Sequence, residues 1–351
     1  MSASGTVGPH VMTVAGPVDP SAIGHTSMHD HVFSDARQAW WAPDTFENPE
    51  LTEVPLTTRT AGLARWNALG IRDNLYLGAE EYREQVEEVR EFVAAGGSCL
   101  VDLTNTGIFP QPALLRSLSE ELGMHVVAGC GFYVHTTHAD WLEEAEVGRI
   151  AAAIEQDVEG GLGDSGVHPG IIGEIGTSAD FRPCEERVVR AAGRVAAATG
   201  TAVNVHTTAP GKHAVRITEM MAEEGLDPRR LVFSHLDEVL DVDYHRQVLS
   251  LGATIGFDSF GCDVYFARLW KSPSDMEKVA GLLADLELGY EDQLVLGHDI
   301  SLKCQLKRFG GMGYDHVLRR IVPTLVNHHE VASGVINKLL VQNPRRLLTR
   351  G

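Results

Sequence analysis

No apolar run in the chain approaches the roughly 20 residues that a membrane-spanning helix needs, and the opening residues carry neither a basic start nor an apolar signal core. Basic residues are scarce: 29 Lys and Arg face 48 Asp and Glu, for a formal charge of −19. That balance works against nucleic-acid backbones and anionic membranes as partners. The acidity is spread along the chain and forms no tail. Cysteines number five, namely Cys99, Cys130, Cys184, Cys262 and Cys304, without the close pairs of a zinc ribbon or a redox CxxC motif. Internal repeats and low-complexity tracts are absent. The expectation is a cytoplasmic protein with a small-molecule substrate.

At 351 residues, 44% of them hydrophobic, the chain can bury a large core in one domain spanning 1–351. Short β-rich runs recur at 98–104, 124–130, 170–174, 202–206, 231–235, 253–257 and 294–299. A segment ending at His31 makes eight. Helical spacing of apolar residues fills 80–95, 187–199, 214–224 and 274–286, with Gly96, Gly200 and Gly225 placed to cap three of them. Near-continuous apolar strands alternating with helices predict a (β/α)8 TIM barrel, with a doubly wound sheet as the competing arrangement. The residues up to about Pro20 predict a small hairpin closing the barrel bottom. The stretch 36–78, with Trp40, Trp41 and Trp66 and no clean periodicity, predicts an insert after strand one, either a lid or interface or an excursion packed on the barrel side.

Sixteen histidines give roughly 0.7 His-x-His pairs by chance, so His29-Asp30-His31 is weak on its own. Its surroundings make it specific. Glu174, His206, His235 and Asp299 each fall at the C-terminal edge of a predicted strand, and a closed barrel gathers those edges around one mouth. Residues i and i+2 of a strand share a face, so His29 and His31 can hold one ion, while His206 and His235 can hold a second. Glu174 is placed to bridge the two, and Asp299 to complete the first site and take a proton during catalysis. Two divalent ions about 3.5–4 Å apart activate a shared water and polarise a carbonyl or phosphoryl oxygen. His135 and His138 fit either a pocket wall or a solvated loop.

The same residues, together with Gly16-Pro-Val18, Ile23-Gly-His-Thr-Ser-Met-His-Asp-His31, Gly170-Ile-Ile-Gly-Glu-Ile-Gly-Thr177, Val205-His-Thr207, Ser234-His-Leu-Asp237, Gly297-His-Asp-Ile300, Gly310-Gly-Met-Gly-Tyr-Asp315 and Asn343-Pro344, resemble the phosphotriesterase family of the amidohydrolase superfamily. The resemblance covers nearly the whole chain. It implies His29, His31, Glu174 and Asp299 around a buried ion and Glu174, His206 and His235 around an exposed one, usually zinc. It also implies a pocket role for Tyr133, whose other reading is a packed aromatic, and a possible homodimer. Organophosphate-degrading members bridge their ions with a carboxylated lysine, whereas Glu174 stands here, as in the homology-protein branch. Ser259 after Asp258 replaces a histidine that often joins a proton relay.

Specificity is expected in the loops 260–271 and 301–313. Phe266 and Trp270 either supply an apolar wall or pack in the strand-seven connection. Lys303, Lys307 and Arg308 either grip an anionic substrate group or form exposed salt bridges. The anticipated function is a binuclear metal-dependent hydrolase of a carboxylic ester, lactone or amide working through a shared hydroxide, with phosphotriester turnover at most a weak side activity. The alternatives are a phosphoester hydrolase and a non-catalytic ligand-binding barrel.

Overall fold

Eight short, apolar runs form the strands, and each is buried on both faces because side chains fill the space inside while helices cover the outside. The structure, a computed structural model, describes residues 8–40, 50, 52–267 and 270–351. The strands are β1 (His25–Asp30), β2 (Gly97–Asp102), β3 (His125–Cys130), β4 (Ile171–Thr177), β5 (Val203–Thr207), β6 (Leu231–Ser234), β7 (Thr254–Phe257) and β8 (Leu294–Leu296). They pair in parallel in sequence order. The first and last meet through the loop after β8: the His29 carbonyl accepts the His298 and Asp299 N–H groups at 3.2 and 3.0 Å, and His31 N–H reaches the Ile300 carbonyl at 3.1 Å. The arrangement is a (β/α)8 barrel.

Met28, Val101, Val127, Ile171, Val232 and Val295 form one buried cluster with Val11, Ile23 and Leu347. Removing each large aliphatic side chain from water contributes about 1.5–3 kcal/mol before chain entropy is charged. Val11 belongs to the expected hairpin. Its strands, His10–Thr13 and Gly16–Val18, pair antiparallel, and the first also pairs with Thr349–Arg350, so these three strands together plug the barrel bottom.

The helices alternate with strands: α1 (Tyr82–Ala94), α2 (Pro112–Leu122), α3 (Val147–Gly160), α4 (Pro183–Thr199), α5 (Ala214–Glu223), α6 (Val242–Ser250) and α7 (Asp275–Glu287). Helix α4 shows why they form where they do. Pro183 opens its first turn, the Glu185 carboxylate reaches back to the Arg182 N–H at 2.9 Å, and Gly200 at φ 69° ends it. Between these ends, Val188, Val189, Ala192 and Val195 lie on the face that joins the main core.

The insert covers the mouth rather than the barrel side. Ala36, Leu56, Ala64, Leu69 and Leu75 pack in one cluster with Tyr133, Val134, Cys262, Val264 and Leu302, all from loops at the C-terminal ends of strands. Trp66 is 57% exposed and contacts the Tyr265 ring, while Trp41 lies outside the described residues.

Candidate metal centre

Strand order delivers His29 from β1, Glu174 from β4 and His206 from β5, with His31, His235 and Asp299 just beyond the ends of β1, β6 and β8. His235 and Asp299 adopt left-handed backbone, φ 64° and 47°, which turns their side chains back over the mouth instead of along the strand. All six are at least nine-tenths buried in the protein's interior except Asp299, whose side chain is 18% exposed.

His29 Nε2 lies 3.3 Å from His31 Nε2, and Asp299 Oδ1 lies 3.6 and 3.3 Å from these two nitrogens. Glu174 sits across from them, with Oε2 3.4 Å from His29 Nε2 and Oε1 3.4 Å from His31 Nε2. The same Oε2 is 3.2 Å from His206 Nδ1 and 3.6 Å from His235 Nε2. A tetrahedral ion with ligands about 2.0–2.1 Å away holds its donors about 3.3–3.4 Å apart, which matches this spacing. Glu174 is thus shared between two donor groups, as a bridging carboxylate must be.

The nitrogens facing away are also engaged. His29 Nδ1 meets Ser234 Oγ at 2.9 Å and Asp258 Oδ2 at 3.1 Å, His31 Nδ1 meets Thr104 Oγ1 at 2.9 Å, His206 Nε2 meets Thr208 Oγ1 at 3.0 Å, and His235 Nδ1 meets Asp258 Oδ1 at 3.1 Å. Every ring is fixed from behind with its other nitrogen aimed inward, the arrangement that orients imidazoles toward a metal. The donor set therefore fits two divalent ions.

Electrostatics agree. Burial opposes ionisation of Glu174, but the His29 and His206 rings and hydrogen bonds from His206 and His235 hold its carboxyl well below the usual range. Burial likewise opposes charge on Asp258, and His235 and His29 overcome it. Burial disfavours a charged His31, yet Asp299 and Glu174 push it up to about 10, whereas burial prevails at His206 and lowers it. Carboxylates packed in a dry shell demand positive charge, and protons and divalent ions compete for the same lone pairs.

A cavity of about 150 Å³ opens over His31, His206, His235 and Asp299. Leu69, Leu75, Ile108, Phe266, Trp270 and Leu302 supply its apolar walls, and Trp40 from the insert joins them. Tyr133 does reach this mouth: its hydroxyl accepts from Trp40 Nε1 at 3.1 Å and stands 3.4 Å from His206 Nδ1. Burial pushes its phenol well above the ordinary value, so it remains protonated.

Lys303 does not line the cavity, which corrects the expectation that it contacts substrate. Its ammonium is held by Asp73 at 2.7 Å and Glu81 at 2.6 Å, carboxylates that its position in the sequence gave no reason to suspect. Lys307 pairs with Asp315 and Glu91, and Arg308 with Glu81. Among the described residues, no Lys or Arg lines the cavity. A carboxylate does: Glu238 accepts from Trp270 Nε1 at 2.7 Å, Ser272 Oγ at 2.6 Å and Ser259 Oγ at 2.8 Å, with buried Lys278 at 3.4 Å. Ser259 is thereby committed to Glu238 and to Asp237, 2.9 Å away. Burial pushes the Asp237 carboxyl up to about 7.

His135 and His138 are also absent from the cavity wall: His135 faces Glu185, and His138 Nε2 faces the Tyr133 carbonyl at 2.9 Å. Thr104, Thr208 and Ser234 carry no signal in the sequence beyond being hydroxyls near strand ends.

Residues 9–348 match the phosphotriesterase family. The chain is 31% identical over 346 residues to N-acetyltaurine hydrolase from Xenopus tropicalis, covering 97% of each. A resiniferatoxin-binding protein from Rhodobacter sphaeroides has a solved structure that superposes with a TM-score of 0.91 at 34% identity, covering 97% of this chain and 94% of that one. The Escherichia coli phosphotriesterase homology protein, with phosphate in its active site, shares the fold at a TM-score of 0.77 and 23% identity, covering 94% of this chain and all of that one. The shared barrel, the ligand-bearing strand ends and the match over nearly the full length lead to one conclusion: this chain belongs to the phosphotriesterase family.

Proposed function

We propose that the protein is a metal-dependent hydrolase that cleaves a carboxylic amide or ester whose non-reacting portion is uncharged and apolar. The observation that carries the reading is Glu174 Oε2, which faces His29, His206 and His235 while each ring is gripped from behind. Two divalent ions, zinc by the nature of the donors, would be held by His29, His31, Asp299 and Glu174 on one side and by Glu174, His206 and His235 on the other. When bound, they would supply an activated water and polarise the scissile carbonyl.

The chain's own side chains do the rest. Asp299, partly open to the cavity, takes the proton released as water attacks and returns it to the leaving nitrogen or oxygen. Tyr133 stays neutral and can donate a hydrogen bond to oxygen in the mouth. The apolar walls desolvate the body of the substrate.

Amide cleavage draws support from the N-acetyltaurine hydrolases, though N-acetyltaurine bears a sulfonate and the described cavity has no cation to meet it. Phosphoester hydrolysis is disfavoured on the same ground, since Lys303, Lys307 and Arg308 are all paired within the protein. The five unpaired cysteines suit a reducing compartment, the cytoplasm, and no helix among the described residues is long and apolar enough to cross a membrane.

The test is elemental analysis for metal, with rates on neutral N-acyl amines, aryl esters, lactones, N-acetyltaurine and phosphoesters before and after chelation. Chelator-sensitive turnover strongest on neutral amides or esters supports the reading. Preference for the sulfonate or for phosphoesters refutes the neutral-substrate part, and metal-independent turnover refutes the centre.

A further inference from the structure

Away from the mouth, His138, Glu143 and Cys184 bring an imidazole nitrogen, a carboxylate oxygen and a thiol together, with the donor atoms all within 4.8 Å of one another. None of the three belongs to the Glu174 cluster or to the cavity wall. The histidine is the informative member. Its Nε2 lies 2.9 Å from the Tyr133 carbonyl, which accepts but cannot donate, so Nε2 carries the proton and Nδ1 the lone pair. That Nδ1 is fully shielded from solvent and has no hydrogen-bond partner. A buried acceptor without a donor is destabilising, and a bound cation would satisfy it.

The thiol is equally well placed. Cys184 is 4% exposed and forms no disulfide, and it sits in the first turn of α4; burial and the neighbouring Glu143 and Glu185 carboxylates push its thiol up, so an ion would take the place of its proton. Glu143 ends the short helix Asp140–Glu143 and is exposed, so its side chain can swing inward. Zinc ligands stand roughly 3.3–3.8 Å apart, so closing the present spacing requires a movement of about 1 Å. The neighbouring Glu185 is already engaged by Ser178, Arg182 and His135, which leaves a fourth position for water.

We propose that His138, Glu143 and Cys184 form an additional metal site, for zinc or a similar borderline divalent ion, which clamps the loop after β3 onto the start of α4. Its consequence reaches the mouth, because the residue whose carbonyl fixes His138 is Tyr133, whose hydroxyl stands beside His206. The ion is a positioning device and takes no part in the reaction.

Cobalt(II) makes the site visible without any assay of turnover. The Glu174 cluster has only nitrogen and oxygen donors, so an intense near-ultraviolet thiolate-to-cobalt band can come only from a cysteine. The full-length protein titrated with cobalt(II) should develop that band. Cys184→Ser should lose it along with about one ion per chain, and His138→Gln, which keeps Cys184, should weaken it and the affinity together. No band in the unaltered protein at saturating cobalt overturns the proposal. A band that survives in Cys184→Ser also overturns it, assigning the ligation to another cysteine such as Cys262 in the cavity wall. Because the readout is optical, these outcomes stand whether or not the hydrolase reading holds.

Discussion

Asp258 accepts the His235 backbone N–H at 2.9 Å and faces His235 Nδ1 at 3.1 Å through the same oxygen, so one carboxylate sets both where this residue sits and which ring nitrogen points inward. Its other oxygen faces His29 Nδ1 at 3.1 Å and so orients that ring as well. Asp258→Asn replaces one of these acceptors with a donor and must misorient one ring. Metal affinity should fall about 10- to 100-fold with secondary structure retained, as read by metal titration beside circular dichroism. Unchanged affinity would mean that the rings are held by Ser234 and the backbone alone.

Asp299→Asn keeps the side chain's shape and removes its basicity. Turnover should drop by at least about 10²-fold while the protein melts close to the unaltered temperature, with metal content measured on the same sample to separate lost basicity from lost ligation. A near-normal rate would transfer the proton-accepting role to another group.

Gly176 lies in β4 beneath the loop that carries Tyr133. A Cβ there would stand 2.1 Å from the Val134 nitrogen and 2.2 Å from the Tyr133 carbonyl carbon, both backbone atoms that cannot rotate away. Gly176→Ala should cost about 1–3 kcal/mol in denaturant unfolding and displace Tyr133 from His206. A wild-type melting curve would show that the loop has room the packing does not suggest.

His245 is buried with Nδ1 2.7 Å from Asp285 and Nε2 near two carbonyls, those of Leu236 and Val239, at 3.1 and 3.0 Å. Burial disfavours its charge, but Asp285 and these carbonyls raise its pKa above the ordinary 6.5. The folded state therefore holds a proton that the unfolded chain gives up. The stabilisation is complete below about pH 6.5 and fades as pH climbs through the raised value. The stability gap between the unaltered protein and His245→Gln should accordingly shrink as pH rises above about 6.5 in urea unfolding. A gap that widens with pH would reverse the assignment.

Lys303→Met tests the corrected assignment of the basic loop. Removing the ammonium strands Asp73 and Glu81, so stability should fall by about 1–2 kcal/mol, discounted because both carboxylates are partly exposed. The ratio of rates on anionic and neutral substrates should stay where it was. A selective loss on anionic substrates would put Lys303 back in the pocket.

The barrel and the gathering of His29, His31, Glu174 and His206 were legible because strand periodicity and strand ends are local properties of sequence. Asp299 and His235 were legible as residue types, though not their left-handed backbone, which depends on how the loops after β6 and β8 fold back. The place of Lys303 is not legible because its partners lie more than two hundred residues earlier in the chain, Asp73 in an insert without periodicity and Glu81 just after it. Trp40 stands out in the sequence only as a bulky residue, and its contact with the Tyr133 hydroxyl exists only once the insert folds over the mouth. His138 and Cys184 are separated by forty-five residues and two helices, and nothing in their spacing announces that they meet.

The seam of the barrel runs through the Glu174 cluster. The His29 carbonyl that receives the His298 and Asp299 amides belongs to a residue that itself faces Glu174, so the joint between the first and last strands and the ligand set are one structure. A nascent chain holds no complete cluster until its eighth strand has been made and seated against its first. An ion captured there would tie the two ends of the barrel together, so metal occupancy would report on the integrity of the entire ring, and stripping the metal should loosen the barrel at the same place where it stops the chemistry.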